Sequence, residues 1–542
     1  MGPSVNRLFA VLAACCASAA GFAAVPISAA ALVPASASAS VSTRAGEPNP
    51  VVSGPITGGD PDRPWFGAPF NVASYGYSEK EYFYSGTAKA WGTKDPSERY
   101  DTRMLVFRPL SARHFSGNVV VEWDNVTAQL DSPNDFLWTY PQVLADGDAY
   151  VEITAQQAGV CGLGLTGAPP SICTPLSLKG WNPKRYAPLF DPGDQYSYDI
   201  FSQGAQAVRH PRGISPLGNL KIKHLFADGQ SQSAAELDDY VSSGADAAAR
   251  LFNGFLVDAD AHHALLSRYR VPTIDVWGEE SAQPVAKTTS HNDVIWEVTG
   301  MGHIDYWSLE QLEAYAARTI LGRPLETRIQ EQAAELAAGA YGQQGLNTSA
   351  TCAGDGQFPR RYVLDAALTD LETWAATGRP PPSAPPLKFN GLGQIINAVP
   401  PGGPVPLLPT ENVNLTGLAL SPFTLVRSDD GMAVGGLRLP FITVPVASYN
   451  GDECVLLGTS VPFSATKLKD LYPTHADYVA KMVVATRTSV QERYMTERDG
   501  IDLLSRVCAS GIPGFSATAT DPEPAICRRL ETVFASPAHG SG

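Results

Sequence analysis

The sequence predicts an α/β protein built on a mostly parallel sheet with helices on both faces. Strand-like runs at 103–107, 118–123, 149–155, 220–227, 254–257, 273–277 and 294–298 are interleaved with helical patterns at 134–146, 199–209, 232–250 and 307–320. Such alternation is what strand–helix–strand crossovers produce. Several of the runs are continuously apolar and do not alternate with polar residues, as strands covered on both faces require. An apolar content of 44% against 17% charged residues supplies enough material for such a buried sheet.

Along the chain, Arg7 precedes an apolar stretch and then small residues with Ala-x-Ala-like cleavage options, the anatomy of a secretory signal peptide over 1–30. Within it, Leu12-Ala13-Ala14-Cys15 also has the form of a lipobox, in which Cys15 would carry a lipid. Residues 31–60, rich in Ala, Ser, Pro and Gly, read as a flexible entry to a core at 61–322. After the leader no apolar run is long enough to span a bilayer, so the expected location is secreted or envelope-associated. Removing the leader leaves Cys161, Cys173, Cys352, Cys454, Cys508 and Cys527, and an even number in an exported chain predicts disulfides. Short loops favour Cys161 with Cys173 and Cys508 with Cys527, which leaves Cys352 with Cys454. No C-x-x-C spacing points to a metal–thiolate site. A formal charge of −15 without any basic block opposes nucleic acid as a partner.

The strand at 118–123 runs into the loop "DNVTAQLD", and the strand at 149–155 into a long Gly- and Pro-rich stretch, 158–198. Long ordered loops of that kind serve as lids or binding walls, with Trp181 and Tyr186 as candidate lining residues. The strand at 220–227 then meets "ADGQSQSAAEL", where Gly229 and Ser233 bracket Ser231 and a helical pattern follows at once. A strand, a G-x-S-x-small turn and a helix together make a nucleophile elbow, which presents the serine at the helix N-terminus. The competing reading is a helix-capping serine. Beyond 323 lie "TGRPPPSAPPL", the strand-like "GGLRLPFITVPVASY" and the helical "SATKLKDLYPTHADYVAKMV", a C-terminal extension over 323–542 whose fold the pattern does not disclose.

A serine hydroxyl is a weak nucleophile and needs a base, a group that orients the base, and donors for the oxyanion. The elbow architecture orders them along the chain as serine, acid, histidine. "VPTIDVWGEES" ends a strand at Glu279 and Glu280, and "WEVTGMGHID" delivers His303 on a Gly-rich loop before the last helix. His303 is favoured over His224, which lies in the elbow strand, and over His262 and His263. Glu279, first after the strand, is the expected acid, with Glu280 and Asp305 as alternatives. The Gln232 N–H follows Ser231 as one oxyanion donor, and Asn125 or Val126 is expected to supply the second. "VDADAHH" places Asp258, Asp260, His262 and His263 together, but without metal-site spacing it reads as a polar turn; neither metal nor organic cofactor is expected.

These residues resemble a family of exported bacterial proteins described as α/β-hydrolase domain-containing, whose elbow reads G-x-S-Q-S-A. The segments that carry the likeness are "VVVEWDNV", "ADGQSQSA", "WEVTGMGHID", "TGRPPPSAPPL", "GGLRLPFITVPVASY" and "VPFSATKLKDLYPTHADYV", spread over about 119–480. The resemblance implies the α/β-hydrolase fold, a C-terminal extension packed on the core, Ser231 as nucleophile, His303 as base and Glu279 as the carboxylate. "NVTAQ" lacks the Gly-Gly that follows "EWxNV" in the family. The expected activity is cleavage of a small-molecule or lipid-like carboxylic ester. Acyl transfer through the same residues and a non-catalytic envelope role are the alternatives.

Overall fold

The computed structural model describes residues 48–162, 170–259, 269–284, 291–325, 358–390, 424–453, 458–509 and 525–534. The leader, Cys15, Cys352 and Cys454 lie outside the described residues. Ten strands form one sheet: β1 (Val51–Ser53), β2 (Tyr77–Ala88), β3 (Glu98–Pro109), β4 (Asn118–Trp123), β5 (Ala149–Ile153), β6 (Arg212–Gly213), β7 (His224–Gln230), β8 (Gly254–Asp258), β9 (Thr273–Trp277) and β10 (Asp293–Glu297). Their spatial order is β10-β9-β8-β7-β4-β5-β3-β2-β1-β6. From β10 to β5 every pairing is parallel, and β5–β3–β2–β1 is antiparallel. The protein is therefore an α/β fold with a large, mostly parallel sheet, as its strand pattern requires.

The apolar runs are buried on both faces. Phe226, Leu256 and Ile274 belong to one hydrophobic cluster, whereas their chain neighbours Leu225, Ala227, Phe255 and Val257 belong to another, because successive strand residues point to opposite faces. The second cluster is closed by α2 (Ser197–Arg209) and α3 (Gln232–Ser242), through Ile200, Phe201, Leu237 and Tyr240. The first is closed by α1 (Asn134–Asp146), α4 (Tyr306–Leu321) and α5 (Arg360–Thr377). It continues without a break into α6 (His475–Gln491) and α7 (Glu497–Ala509), where Met482, Leu503 and Leu504 join Phe441 and Tyr362. Each such side chain contributes about 1.5–3 kcal/mol by leaving water, so the segments after 358 share the interior with the sheet.

Two differences from the sequence reading concern the N-terminal side. Val51–Ser53, inside the stretch expected to be a flexible entry, is strand β1, because its backbone pairs with β2 and β6. The twelve-residue β2 has no strand prediction behind it: its sequence YSEKEYFYSGTA mixes charged and aromatic residues, and Glu81 is tolerated inside only because Arg103 and Arg185 neutralise it. The bonds Cys161–Cys173 and Cys508–Cys527 are formed. No helix among the described residues is long and apolar enough to cross a membrane.

Candidate active site

At the C-terminal end of β7 the chain turns into α3 within one residue. That residue, Ser231, has φ 62° and ψ −117°, a conformation that costs a non-glycine residue about 1–3 kcal/mol and persists only where its surroundings enforce it. Here they do. The Ser231 N–H donates to Asp258 O at 2.8 Å, and Ala235 N donates to Ser231 O at 3.0 Å. Ser233 Oγ donates to Gln230 O and accepts from Gln230 N, at 2.9 and 3.1 Å, and so staples the turn from within. A Cβ at Gly229 would stand 2.9 Å from Ser233 O, which is why the residue two before the serine must be small.

Ser231 makes no side-chain cap to α3. Its Oγ lies 2.7 Å from His303 Nε2 instead, and so the helix-cap alternative fails on geometry. His303 sits in the loop between β10 and α4, with 12% of its side chain exposed. The loop is held at several points: Glu279 N donates to Met301 O at 2.8 Å, Thr299 N to Leu437 O at 3.1 Å, and Gln230 Nε2 to His303 O at 3.3 Å.

The carboxylate beside His303 is that of Glu280 and not of Glu279. Glu280 Oε1 lies 3.3 Å from His303 Nδ1 and also accepts from Ser281 Oγ at 3.2 Å. Its approach depends on Gly278, where a Cβ would stand 2.1 Å from Glu280 Oε2. Glu279 points the other way and is fully buried. It accepts from Gly300 N at 2.6 Å, Gly451 N at 3.0 Å and Arg427 Nη2 at 3.2 Å. Adjacent residues beyond a strand project to different sides, and the backbone bond from Glu279 N to Met301 O sets which side each takes. Burial pushes the Glu279 carboxyl up to about 7, against the pull of Arg427. Asp305, the other alternative, caps α4 through Ser308 N and accepts from Trp138 Nε1 and Arg360 N.

On the oxyanion side, Gln232 is the first residue of α3, so its N–H lies outside the helix's own hydrogen-bond ladder. The Asn125 N–H is not available as a donor, because it is spent on Ser132 O at 2.9 Å. The Asn125 side chain braces the loop: Nδ2 donates to Gln230 O at 2.8 Å, and Oδ1 accepts from Thr127 N at 2.9 Å. The Val126 N–H faces the site and donates to the Gln232 side-chain oxygen at 3.2 Å.

A sequence profile of the alpha/beta hydrolase domain matches residues 52–505. The chain belongs to this α/β-hydrolase family. No curated protein matches it. Among solved structures, it is similar to esterase Est22, at 10% identity and a TM-score of 0.25 over 39% of this chain and 67% of that one. It is also similar to an α/β serine hydrolase without lid from Xanthomonas campestris, at 15% identity and a TM-score of 0.25 over 43% and 91%.

Other residues of this α/β hydrolase fall elsewhere than the sequence suggests. Tyr186 does not line the site: it is fully buried, accepts from Trp65 N and donates to Glu81 Oε1, both at 2.8 Å. Trp181 is half-buried and packs edge-on against Trp65 at 5.3 Å. Both side chains anchor the insertion to the core, because Trp65 offers a large aromatic face there. His224 begins β7, at the far end of that strand from Ser231, and bonds Asn118 Oδ1. Asp258 is buried in an ion pair with Arg360, while Asp260, His262 and His263 lie outside the described residues.

Sequence reasoning missed Gln156 and Glu236. Gln232 Nε2 donates to Gln156 Oε1 at 2.8 Å and to Glu236 Oε1 at 3.3 Å, and Gln156 Nε2 to Glu236 Oε1 at 3.1 Å. Burial raises Glu236 to about 7. The signal available in the sequence was the polar residue just past strand β5, at the same end of the sheet as the serine, and the i, i+4 spacing of Gln232 and Glu236 on one helix face.

Proposed function

We propose that this protein is an exported serine hydrolase that cleaves carboxylic esters of small or lipid-like molecules, with Ser231 as nucleophile, His303 as base and Glu280 as the acid that orients it. The observation that carries the reading is the 2.7 Å contact of Ser231 Oγ with His303 Nε2, made from a strained elbow, with a carboxylate on the opposite ring nitrogen. In this reading His303 Nε2 takes the hydroxyl proton as Oγ attacks the ester carbonyl. The imidazolium then gives that proton to the leaving alkoxide, which departs as the alcohol and leaves an acyl-serine. Water, deprotonated by His303, attacks the acyl-serine and releases the carboxylic acid and free Ser231. Glu280 accepts the Nδ1 proton in hydrogen bonding and stabilises the imidazolium in both steps.

The oxyanion is received by the N–H groups of Gln232 and Val126, the latter once the Gln232 side-chain oxygen gives up its contact with Val126 N. The leader-like residues 1–30 and the two disulfides support an exported, oxidising setting. The test is labelling by a fluorophosphonate probe, wild type beside Ser231→Ala, followed by a panel of p-nitrophenyl esters. Labelling and turnover of wild type alone are expected. A wild-type protein that neither labels nor hydrolyses any ester, or a Ser231→Ala variant that labels equally, overturns the reading.

A further inference from the structure

We propose that the buried Asp258–Arg360 pair is a positioning device for His303, locking the loop that carries it and balancing the charge behind its ring. The inference rests on the reading of His303 as the base.

Asp258 ends β8, and Arg360 is the first residue of α5; both are fully buried. The two are joined by a two-pronged contact, Arg360 Nε to Asp258 Oδ2 at 3.2 Å and Arg360 Nη2 to Asp258 Oδ1. The remaining donors go to the histidine loop: Arg360 Nη1 donates to Gly302 O at 2.7 Å, and the backbone N–H of Arg360 donates to Asp305 Oδ2 at 2.9 Å. One residue therefore grips the chain immediately before His303 and two residues after it. Asp258 completes the connection, since its carbonyl oxygen receives the Ser231 N–H. The guanidinium lies over Trp138, 5.1 Å from the ring centre, and is closed to bulk solvent. Nucleophile and base are thus referred to a single ion pair, half of which comes from outside the predicted 61–322 core.

The pair is also electrostatically placed. Facing His303 are Glu280 from the turn after β9, at 3.3 Å from Nδ1, and Asp258 from β8, within electrostatic reach of the ring. Behind them stands Arg360 from α5, within reach of Glu280. Asp305, the cap of α4, is held by Trp138, Ser308 and Arg360, and Glu279 is held by Arg427. A lone Asp258 carboxylate would favour the imidazolium, and a lone guanidinium would oppose it; together they nearly cancel. An arginine cannot shed its proton to relieve an imbalance, so removing Asp258 leaves a cation that His303 must feel, whereas a buried Asp258 without its arginine takes up a proton.

The measurement is the pH dependence of fluorophosphonate labelling and of kcat/KM for a p-nitrophenyl ester, in the full chain. Asp258→Asn takes away the nearest counter-charge of Arg360, with Glu280 and Asp305 left in reach, and lowers the acid-limb midpoint by about one unit, the effect of a nearby like charge. Arg360→Met lets the buried Asp258 take up a proton, so the limb stays in place and kcat falls through the lost grip on Gly302 O. Arg360→Lys keeps the charge but loses the fork on Asp258 and the bond to Gly302 O, so the limb stays and kcat falls. Each variant is checked for folding by circular dichroism, and Asp258→Asn through its limb or Arg360→Lys through its kcat decides the question. A merely structural pair would lower thermal stability or kcat without moving the limb, so a folded Asp258→Asn with an unmoved midpoint, or a folded Arg360→Lys with the kcat of wild type, overturns the inference. Wild type that fails to label removes the proposed function, whereas wild type that labels beside an unmoved limb removes this inference alone.

Discussion

Glu279 and Glu280 are adjacent, both buried and both acidic, yet their replacement by glutamine is expected to have unlike effects. Glu280 Oε1 stands 3.3 Å from His303 Nδ1. A carboxylate facing a full imidazolium at that distance contributes about 5 kcal/mol at an effective dielectric of about 20. At about 1.4 kcal/mol per tenfold in rate, its loss corresponds to a fall in kcat of about 10³ to 10⁴, in keeping with the about 10⁴ lost when the corresponding acid of a Ser-His-Asp protease becomes an amide. Glu279 touches no reacting group. Glu279→Gln retains an oxygen for one of Gly300 N and Gly451 N but presents an amide to the other, and Arg427 keeps Asp452. The cost is about 1–3 kcal/mol of stability, with kcat within about tenfold of wild type. Steady-state hydrolysis of p-nitrophenyl esters and thermal melting of both variants separate the outcomes. A Glu279→Gln variant that loses a thousandfold while Glu280→Gln stays near wild type would refute the assignment of the acid.

Further outcomes concern the elbow, the oxyanion loop and the response to pH. Gly229→Ala places a methyl 2.9 Å from the Ser233 carbonyl, an overpacking that costs about 1–3 kcal/mol; an unchanged melting temperature would contradict the tightness of the turn. Asn125→Ala removes the braces to Gln230 O and Thr127 N and is expected to lower kcat by about tenfold to a hundredfold, less than the loss of a donor itself, with KM little changed. A kcat equal to wild type would take this loop out of oxyanion binding. Burial raises Glu79, Asp228, Glu236 and Glu279 to about 7 and Asp191 to about 8. Each binds its proton more tightly folded than unfolded, so stability declines as pH rises from the ordinary carboxyl range through these values. Melting is therefore expected at a lower temperature at pH 8 than at pH 5, and the reverse order would show that these carboxyls are not buried as described.

Much of the sheet was legible because its strands are short, apolar runs between helical patterns. β4 and β9 begin and end where their sequences do, at Asn118–Trp123 and Thr273–Trp277. β2 was not, because its buried Tyr82, Phe83 and Tyr84 follow directly on charged residues, one of which, Glu81, is itself buried in the grip of two arginines. Ser231 and His303 could be singled out because each is set by a local device, an elbow of small residues and a Gly-rich loop after a strand, in the chain order of the architecture. Tyr186 misled because an aromatic residue in an insertion has the same sequence signal whether it faces a ligand or, as here, is buried against the core.

By itself, then, the sequence determined the class of sheet, the turn that strains Ser231 and the segment that brings His303, since all of these follow from backbone sterics and side-chain period over a few residues. Only the tertiary structure decided that Glu280 and not Glu279 meets the imidazole, that Asn125 braces while Val126 presents its N–H, and that Arg360 reaches in from α5. Those choices depend on which partner occupies each donor and acceptor. Partners such as Gly451 and Arg427 come from elsewhere in the chain, at distances along it that no local pattern encodes.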